Sequence, residues 1–309
     1  MLSSGETGAM LIFMSRIVAQ HVLSLPGLRR LQQPIRKWIT GSVRVTSTTF
    51  QQRVDLALMY LSCCEKAQLG NFVKSGDTIL DHGAGWHLTV PLLYYRLGAK
   101  RQILTDVLRL VEPALVFHIA RELNRLQLDG KCQRPLPEPG DLTFDQWLAE
   151  LGISFIAPAF LPIPVADASI GAILSTGVLC YPTREEIRFT FQEVARALKP
   201  GGVFVCSVPL FDIYSLYDTS LSRFNFLRYS KKTWDRWFRT STLSLNRLRV
   251  SDFLAALHEL PLDPVIWEPT PPSDTDLQAL DRIPLHSDFA NYARDDLACP
   301  YLFFVLRKR

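Results

Sequence analysis

Long apolar runs are missing from this chain. The longest stretch near its start, "AMLIFMSRIVAQHVLSLPGL", is broken by Arg16, Gln20 and His21. That is too polar for a bilayer-spanning helix. It also lacks the basic leader and small-residue cleavage site of a secretory signal. The expectation is a helix packed on the main domain, with an interfacial membrane helix as the alternative. Paired Cys-x-x-Cys spacing with partner histidines is also missing. Cys63, Cys64, Cys132, Cys180, Cys206 and Cys299 are scattered, so no metal site is expected. Free cysteines in a core suit a reducing compartment and point to a cytoplasmic protein. There is no internal repeat and no long low-complexity tract. Global disorder is excluded by a hydrophobic fraction of 48% against 21% charged residues.

Charge is low overall but uneven. The net is +4 over 309 residues, yet the window from Arg223 to Arg249 holds eight basic residues against Asp235 alone. Phe224, Phe226, Tyr229, Trp234, Trp237 and Phe238 are interleaved with those charges. A lid that binds an acidic or aromatic small molecule is one reading. Contact with RNA or an anionic membrane is a second. A solvated cap around an aromatic core is a third.

The first 70 residues read as a helical cap, with breaks at Pro26-Gly27, Pro34 and Gly41. From Asp77 strands and helices alternate. "DTILDHG", "RQILTDV", "ISFIAP", "GAILST" and "GVFVCSVP" are near-continuous apolar runs, as strands buried on both faces should be. "LTVPLLYYRLGA", "RLVEPALVFHIARELNRLQL" (irregular near Pro113), "FDQWLAELG" and "REEIRFTFQEVARAL" are the helices between them. The pattern predicts an α/β doubly wound, mostly parallel sheet over residues 71–309. Insertions at about 210–247 and 270–300 interrupt it. "VSDFLAALHEL", "DPVIWEP" and "YLFFVLRKR" supply the remaining helix and strands.

In such sheets ligands bind at the carboxyl ends of the strands. Gly83 and Gly85 follow the first strand and let the backbone approach a ligand. Asp106, at the end of the second strand, is placed to accept bonds from both hydroxyls of a ribose. A nicotinamide fingerprint would need a third glycine where Leu88 stands. Asp81 would also repel a pyrophosphate, but it suits the ammonium group of S-adenosylmethionine.

Three segments then carry a family resemblance. "ILDHGAG", "LPIPVADASIGAILSTGVLCY" and "EVARALKPGGVFVCSVP" resemble, in order, motifs of class I S-adenosylmethionine-dependent methyltransferases. The resemblance covers Asp77 to Pro209 and implies a seven-stranded Rossmann-like sheet that binds that cofactor. It implies cofactor contacts from Asp81, Gly83, Gly85, Trp86, Asp106, Val107, Phe160, Ser175, Thr176 and Gly177. The sequence departs from the pattern at three places. His87 replaces a third glycine. Gly171 stands where the family often has an aspartate. Ala157-Pro158-Ala159-Phe160 offers no acid after the third strand, so Phe160 is expected as an apolar wall instead.

Methyl transfer needs alignment of acceptor and methyl group, and a base only if the acceptor carries a proton. His87 and His286 are the candidates for that base. Tyr181, Asp212, Arg228 and Trp234 are the candidates for lining the acceptor cavity. The expected partner is a small-molecule methyl acceptor. DNA is not expected, since no Asn-Pro-Pro-Tyr type motif is present. An RNA methyltransferase and a non-catalytic accessory protein on the same fold are the alternatives.

Overall fold

The computed structural model describes residues 46–128, 134–216, 220–239 and 245–309. The expected helices and breaks before residue 46, including the candidate interfacial helix, lie outside the described residues, as does Cys132. Elements are numbered here along the described residues.

Seven strands form one sheet: β1 (Thr78–His82), β2 (Arg101–Thr105), β3 (Ile153–Ile156), β4 (Ile170–Thr176), β5 (Leu198–Pro209), β6 (Leu262–Pro269) and β7 (Tyr301–Lys308). Their spatial order is β3-β2-β1-β4-β5-β7-β6. β1 to β5 pair in parallel. β7 runs antiparallel to both β5 and β6. The order reverses between β1 and β4, which places a crevice at their carboxyl ends.

Alternation along the strands divides the core in two. In β5, Val203 and Val205 pack on one face, and Phe204, Cys206 and Val208 on the other. On the first face lie α1 (Ser47–Lys66), α2 (Thr89–Leu97), α3 (Pro113–Arg125) and α4 (Phe144–Glu150). On the second lie α5 (Arg184–Ala197), α7 (Val250–Ala256) and the inserted segments. Phe191 of α5 meets Phe204 and Phe304 edge-on at 6.3 and 6.1 Å, which locks that helix to the middle of the sheet.

Local chemistry sets the element ends. Thr183 and Glu186 form a capping box at the start of α5, and Thr143 and Gln146 another at α4. Pro113 is the first residue of α3, where its missing N–H costs nothing. It therefore opens the helix, rather than kinking one that began at Arg109. Gly171 is explained by close approach. A Cβ there would overlap the side chain of Asp77, which is ion-paired to Lys199.

The two insertions pack on each other. The first holds short 3-10 turns at Ile213–Leu216 and Asn225–Arg228 and helix α6 (Lys231–Trp237). The second holds α8 (Asp274–Asp281), a turn at Ser287–Phe289 and α9 (Arg294–Ala298). Arg223 pairs with Asp276 at 3.0 Å, and Lys231 N–H donates to Asp288 Oδ2 at 2.7 Å. The aromatic window is mostly interior. Phe224, Phe226, Trp234 and Phe238 are buried in the second core, whereas Trp237 is 48% exposed. That burial removes most of the stacking surface a single-stranded nucleic acid would need.

Candidate functional site

The site grows from the turn after β1. Gly83 N–H and Ala84 N–H both donate to Thr105 O, at 2.8 and 3.1 Å, which folds the turn back onto β2. Gly83 has φ +84°, and a Cβ there would overlap Val178 in the loop after β4. Gly85 has φ +67° with open space where a Cβ would stand, so a ligand can lie against its backbone. Asp106 holds the same turn. Its Oδ2 accepts from Gly85 N–H at 2.9 Å and its Oδ1 from Leu108 N–H at 3.2 Å.

A cavity of about 30 Å³ lies between the ends of β1 and β4, with Arg53, Tyr60, Asp81, Gly83, His87 and Thr176 in its wall. Helix α1 roofs it: the hydroxyls of Tyr60 and Thr176 are 2.9 Å apart. Desolvation pushes the Asp81 carboxyl up to about 7; Arg53 opposes the shift and Asp106 adds to it. Desolvation also pulls His87 down to about 4, helped by the Arg53 charge, so its ring is neutral at pH 7. Nδ1 of His87 and Oγ1 of Thr89 are buried without a hydrogen-bond partner among the described residues. A desolvated carboxylate beside unmet polar atoms at a switch point fits the ammonium-bearing end of S-adenosylmethionine.

On the other side of Asp106 the surface is apolar and open. Val107 is 52% exposed, Leu108 47% and Phe160 67%. Ala159 N–H donates to Asp106 O at 2.8 Å, which joins the loops after β2 and β3. This exposed apolar patch beside the predicted ribose contact suits an adenine ring.

Other predicted residues divide. Thr176 lines the cavity, but Ser175 points to the opposite face of the sheet, toward Cys206, as strand alternation requires. Gly177 follows with φ +70° and open space at its Cα. Trp86 stands edge-on to His87 at 5.6 Å and lies outside the cavity wall.

A second cavity, of about 290 Å³, opens between the start of α5 and the insertions. Tyr181 and Trp234 line it, together with Arg184, Arg247, Phe289 and Tyr292. Asp212, Arg228 and His286 do not line it. Asp212 is wholly buried, accepts from Tyr214 N–H at 3.0 Å, and is pushed up to about 7 by burial. Arg228 lies over the Tyr229 ring, 5.9 Å from its centre. His286 caps the turn at Ser287–Phe289, its Nδ1 accepting from Asp288 N–H at 3.2 Å. Arg53 and Tyr60 were not anticipated as site residues, because nothing in their local sequence marks a helix that folds over a distant turn. Among the described residues no cluster of three metal-ligating side chains occurs, and no helix is long and apolar enough to cross a membrane.

Residues 141–206 match the family described as "Methyltransferase domain". No curated protein sequence is significantly similar. Solved structures that resemble the chain include an S-adenosylmethionine-dependent methyltransferase from Mesorhizobium loti. It is 17% identical, with 76% of this chain and 92% of that one covered and a TM-score of 0.41. A candidate sarcosine dimethylglycine methyltransferase from Galdieria sulphuraria is 15% identical, covering 89% and 97%, at 0.48. Geranyl diphosphate C-methyltransferase from Streptomyces coelicolor A3(2) is 14% identical, covering 86% and 85%, at 0.39.

The strand order, with β7 antiparallel between β5 and β6, is that of the class I methyltransferase Rossmann-like fold. It is the order that the sequence resemblance implied, and the methyltransferase domain model matches residues 141–206 within it.

Proposed function

We propose that the chain methylates a small molecule held in the cavity beneath the inserted segments. The observation that carries this reading is the juxtaposition, at the β1–β4 switch point, of Asp81 with the unmet Nδ1 of His87 and Oγ1 of Thr89. The cofactor supplies an electrophilic sulfonium methyl group. Asp81 is the counter-charge for its ammonium. Gly83 and Gly85 give backbone access, Asp106 takes the ribose hydroxyls, and Val107 and Phe160 flank the adenine. His87, neutral and unpartnered at Nδ1, can accept a hydrogen bond from cofactor or acceptor. Thr176 and Gly177 border the methionine end. Trp86 shields His87 from solvent. Ser175 serves the core, and His286 shapes the lid as a cap.

Acceptor access follows from chain continuity. Val178 covers Gly83, and Tyr181, three residues on, is in the wall of the second cavity. Three residues span at most about 11 Å, so the two cavities share one short loop. Isothermal titration with S-adenosylmethionine and S-adenosylhomocysteine tests the cofactor seat. Micromolar binding of both is expected, and a blank titration for both would favour a non-catalytic accessory role. A metabolite extract incubated with protein and cofactor should then yield a product heavier by one methyl group. Methylation of RNA with no small-molecule product would overturn the acceptor assignment.

A further inference from the structure

Arg247 is a nearly buried cation, and Asp235 and Asp288 act on it only from beyond ion-pair distance. It is 7% exposed, yet it forms no ion pair among the described residues. Its Nη1 donates to Tyr229 O at 2.6 Å and Phe226 O at 3.2 Å. Nε and Nη2, the edge that can grip a carboxylate with two parallel bonds, make no hydrogen bond to the described residues. Of the other cations in the cavity wall, Arg239 is exposed and two are paired. Arg184 is paired with Asp252, and Lys231 with Asp235. Asp288 is already engaged by Lys231 N–H.

The backbone is arranged to present this residue. Arg247 sits in the left-handed region, at φ +62°. Its neighbour Asn246 is clamped to the loop after β4. Asn246 Nδ2 donates to Leu179 O at 2.8 Å and to Pro182 O at 2.7 Å, and its N–H donates to Cys180 O at 2.8 Å. A strained conformation held by three bonds to the loop that also covers Gly83 suggests a functional constraint. The ring centres of Trp234 and Phe289 lie 5.3 and 5.1 Å from the guanidinium carbon, and both residues line the cavity. Leu245 and Leu248 extend the apolar wall.

We propose that Arg247 recognises the methyl acceptor, taking the carboxylate of a small organic acid on its Nε–Nη2 edge while the acid's apolar body lies against Trp234 and Phe289. The assignment rests on the reading of this cavity as the acceptor site. Burial pulls Arg247 down to about 10, with Asp235 and Asp288 opposing, which is the signature of a cation short of a counter-ion. A bound carboxylate relieves that cost.

The test uses matched acids and amides with the full chain saturated in S-adenosylhomocysteine. Phenylacetate and hexanoate are titrated beside phenylacetamide and hexanamide, with saturation-transfer NMR and calorimetry as readouts. At least one acid should bind at least tenfold more tightly than its amide. Arg247→Gln should abolish that preference while S-adenosylhomocysteine affinity stays within twofold. The wild-type comparison needs no variant, so a misfolded substitution leaves the test intact. Equal binding of acids and amides, or no binding of either acid, overturns the proposal. Acid selectivity in a protein that binds no S-adenosylhomocysteine would leave a carboxylate site but overturn its role in methyl transfer. A blank cofactor titration is thus read separately from a failed acid titration.

Discussion

Tyr60 and Thr176, 116 residues apart in sequence, place their hydroxyl oxygens 2.9 Å from each other above the glycine turn. The bond makes α1 the roof of the proposed cofactor cavity, and 30 Å³ of free space beneath it is far less than a ligand pocket of roughly 300 Å³ or more. On the proposed reading the roof shifts as the methionine end enters. Tyr60→Phe should lower unfolding stability by about 1 kcal/mol, the net worth of one hydrogen bond. It should also speed association of S-adenosylhomocysteine in stopped-flow fluorescence. An unchanged association rate would show that entry does not require this helix to move.

Cofactor binding should depend on pH through Asp81. Its carboxyl is raised to about 7, so near neutrality much of the free protein carries it protonated. An ammonium ligand prefers the carboxylate and pulls that value down. Binding should then release a proton between about pH 5 and 7, and affinity should fall up to tenfold per pH unit below 7. Calorimetry in buffers of different ionisation enthalpy measures the proton directly. Asp81→Asn should abolish both the release and the pH dependence.

Asp106→Ala removes the acceptor for Gly85 N–H and Leu108 N–H as well as the proposed ribose contact. Hydrogen bonds to a charged group are worth roughly 1.5–3 kcal/mol each. S-adenosylhomocysteine should therefore bind at least tenfold more weakly to a variant whose circular dichroism is unchanged. Equal affinity would remove Asp106 from the site.

Asp212 should make the fold less stable as pH rises. Its carboxyl is at about 7 when folded and near the ordinary 3.8 when unfolded. Between those values the folded state holds a proton that the unfolded state has lost, so stability declines as pH climbs from 4 to 7. Asp212→Asn should match wild type near pH 4. At pH 8 it should exceed wild type by on the order of 2–4 kcal/mol in urea melts. Identical pH profiles for the two proteins would contradict the placement of this carboxyl.

What the sequence disclosed was mostly local. Apolar strand runs, the Gly83–Gly85 turn and the Lys199-Pro200-Gly201-Gly202 corner are written in contiguous residues, and the sheet followed from their alternation. Residues that act through distance were harder to see. Nothing near Tyr60 says that it will meet Thr176. The aromatic and basic window was visible as composition, but composition does not say which of its rings face inward. Phe224 and Trp234 turned out to be core, and Arg247 showed its significance only once its burial without a counter-ion was known. Asp212 reads as a loop carboxylate, but its backbone neighbours fold over it.

The position of β7 bears on how the protein is made. Among the described strands β6 pairs only with β7, and β5 meets β7 along its outer side. During synthesis, β6 leaves the ribosome before any partner for it exists, and the outer side of β5 stays unsealed over the same interval. Both strand edges can pair with another chain in the meantime. The growing polypeptide thus depends on β7 to close the sheet, and a ribosome stalled before Tyr301 would hold a chain prone to aggregate.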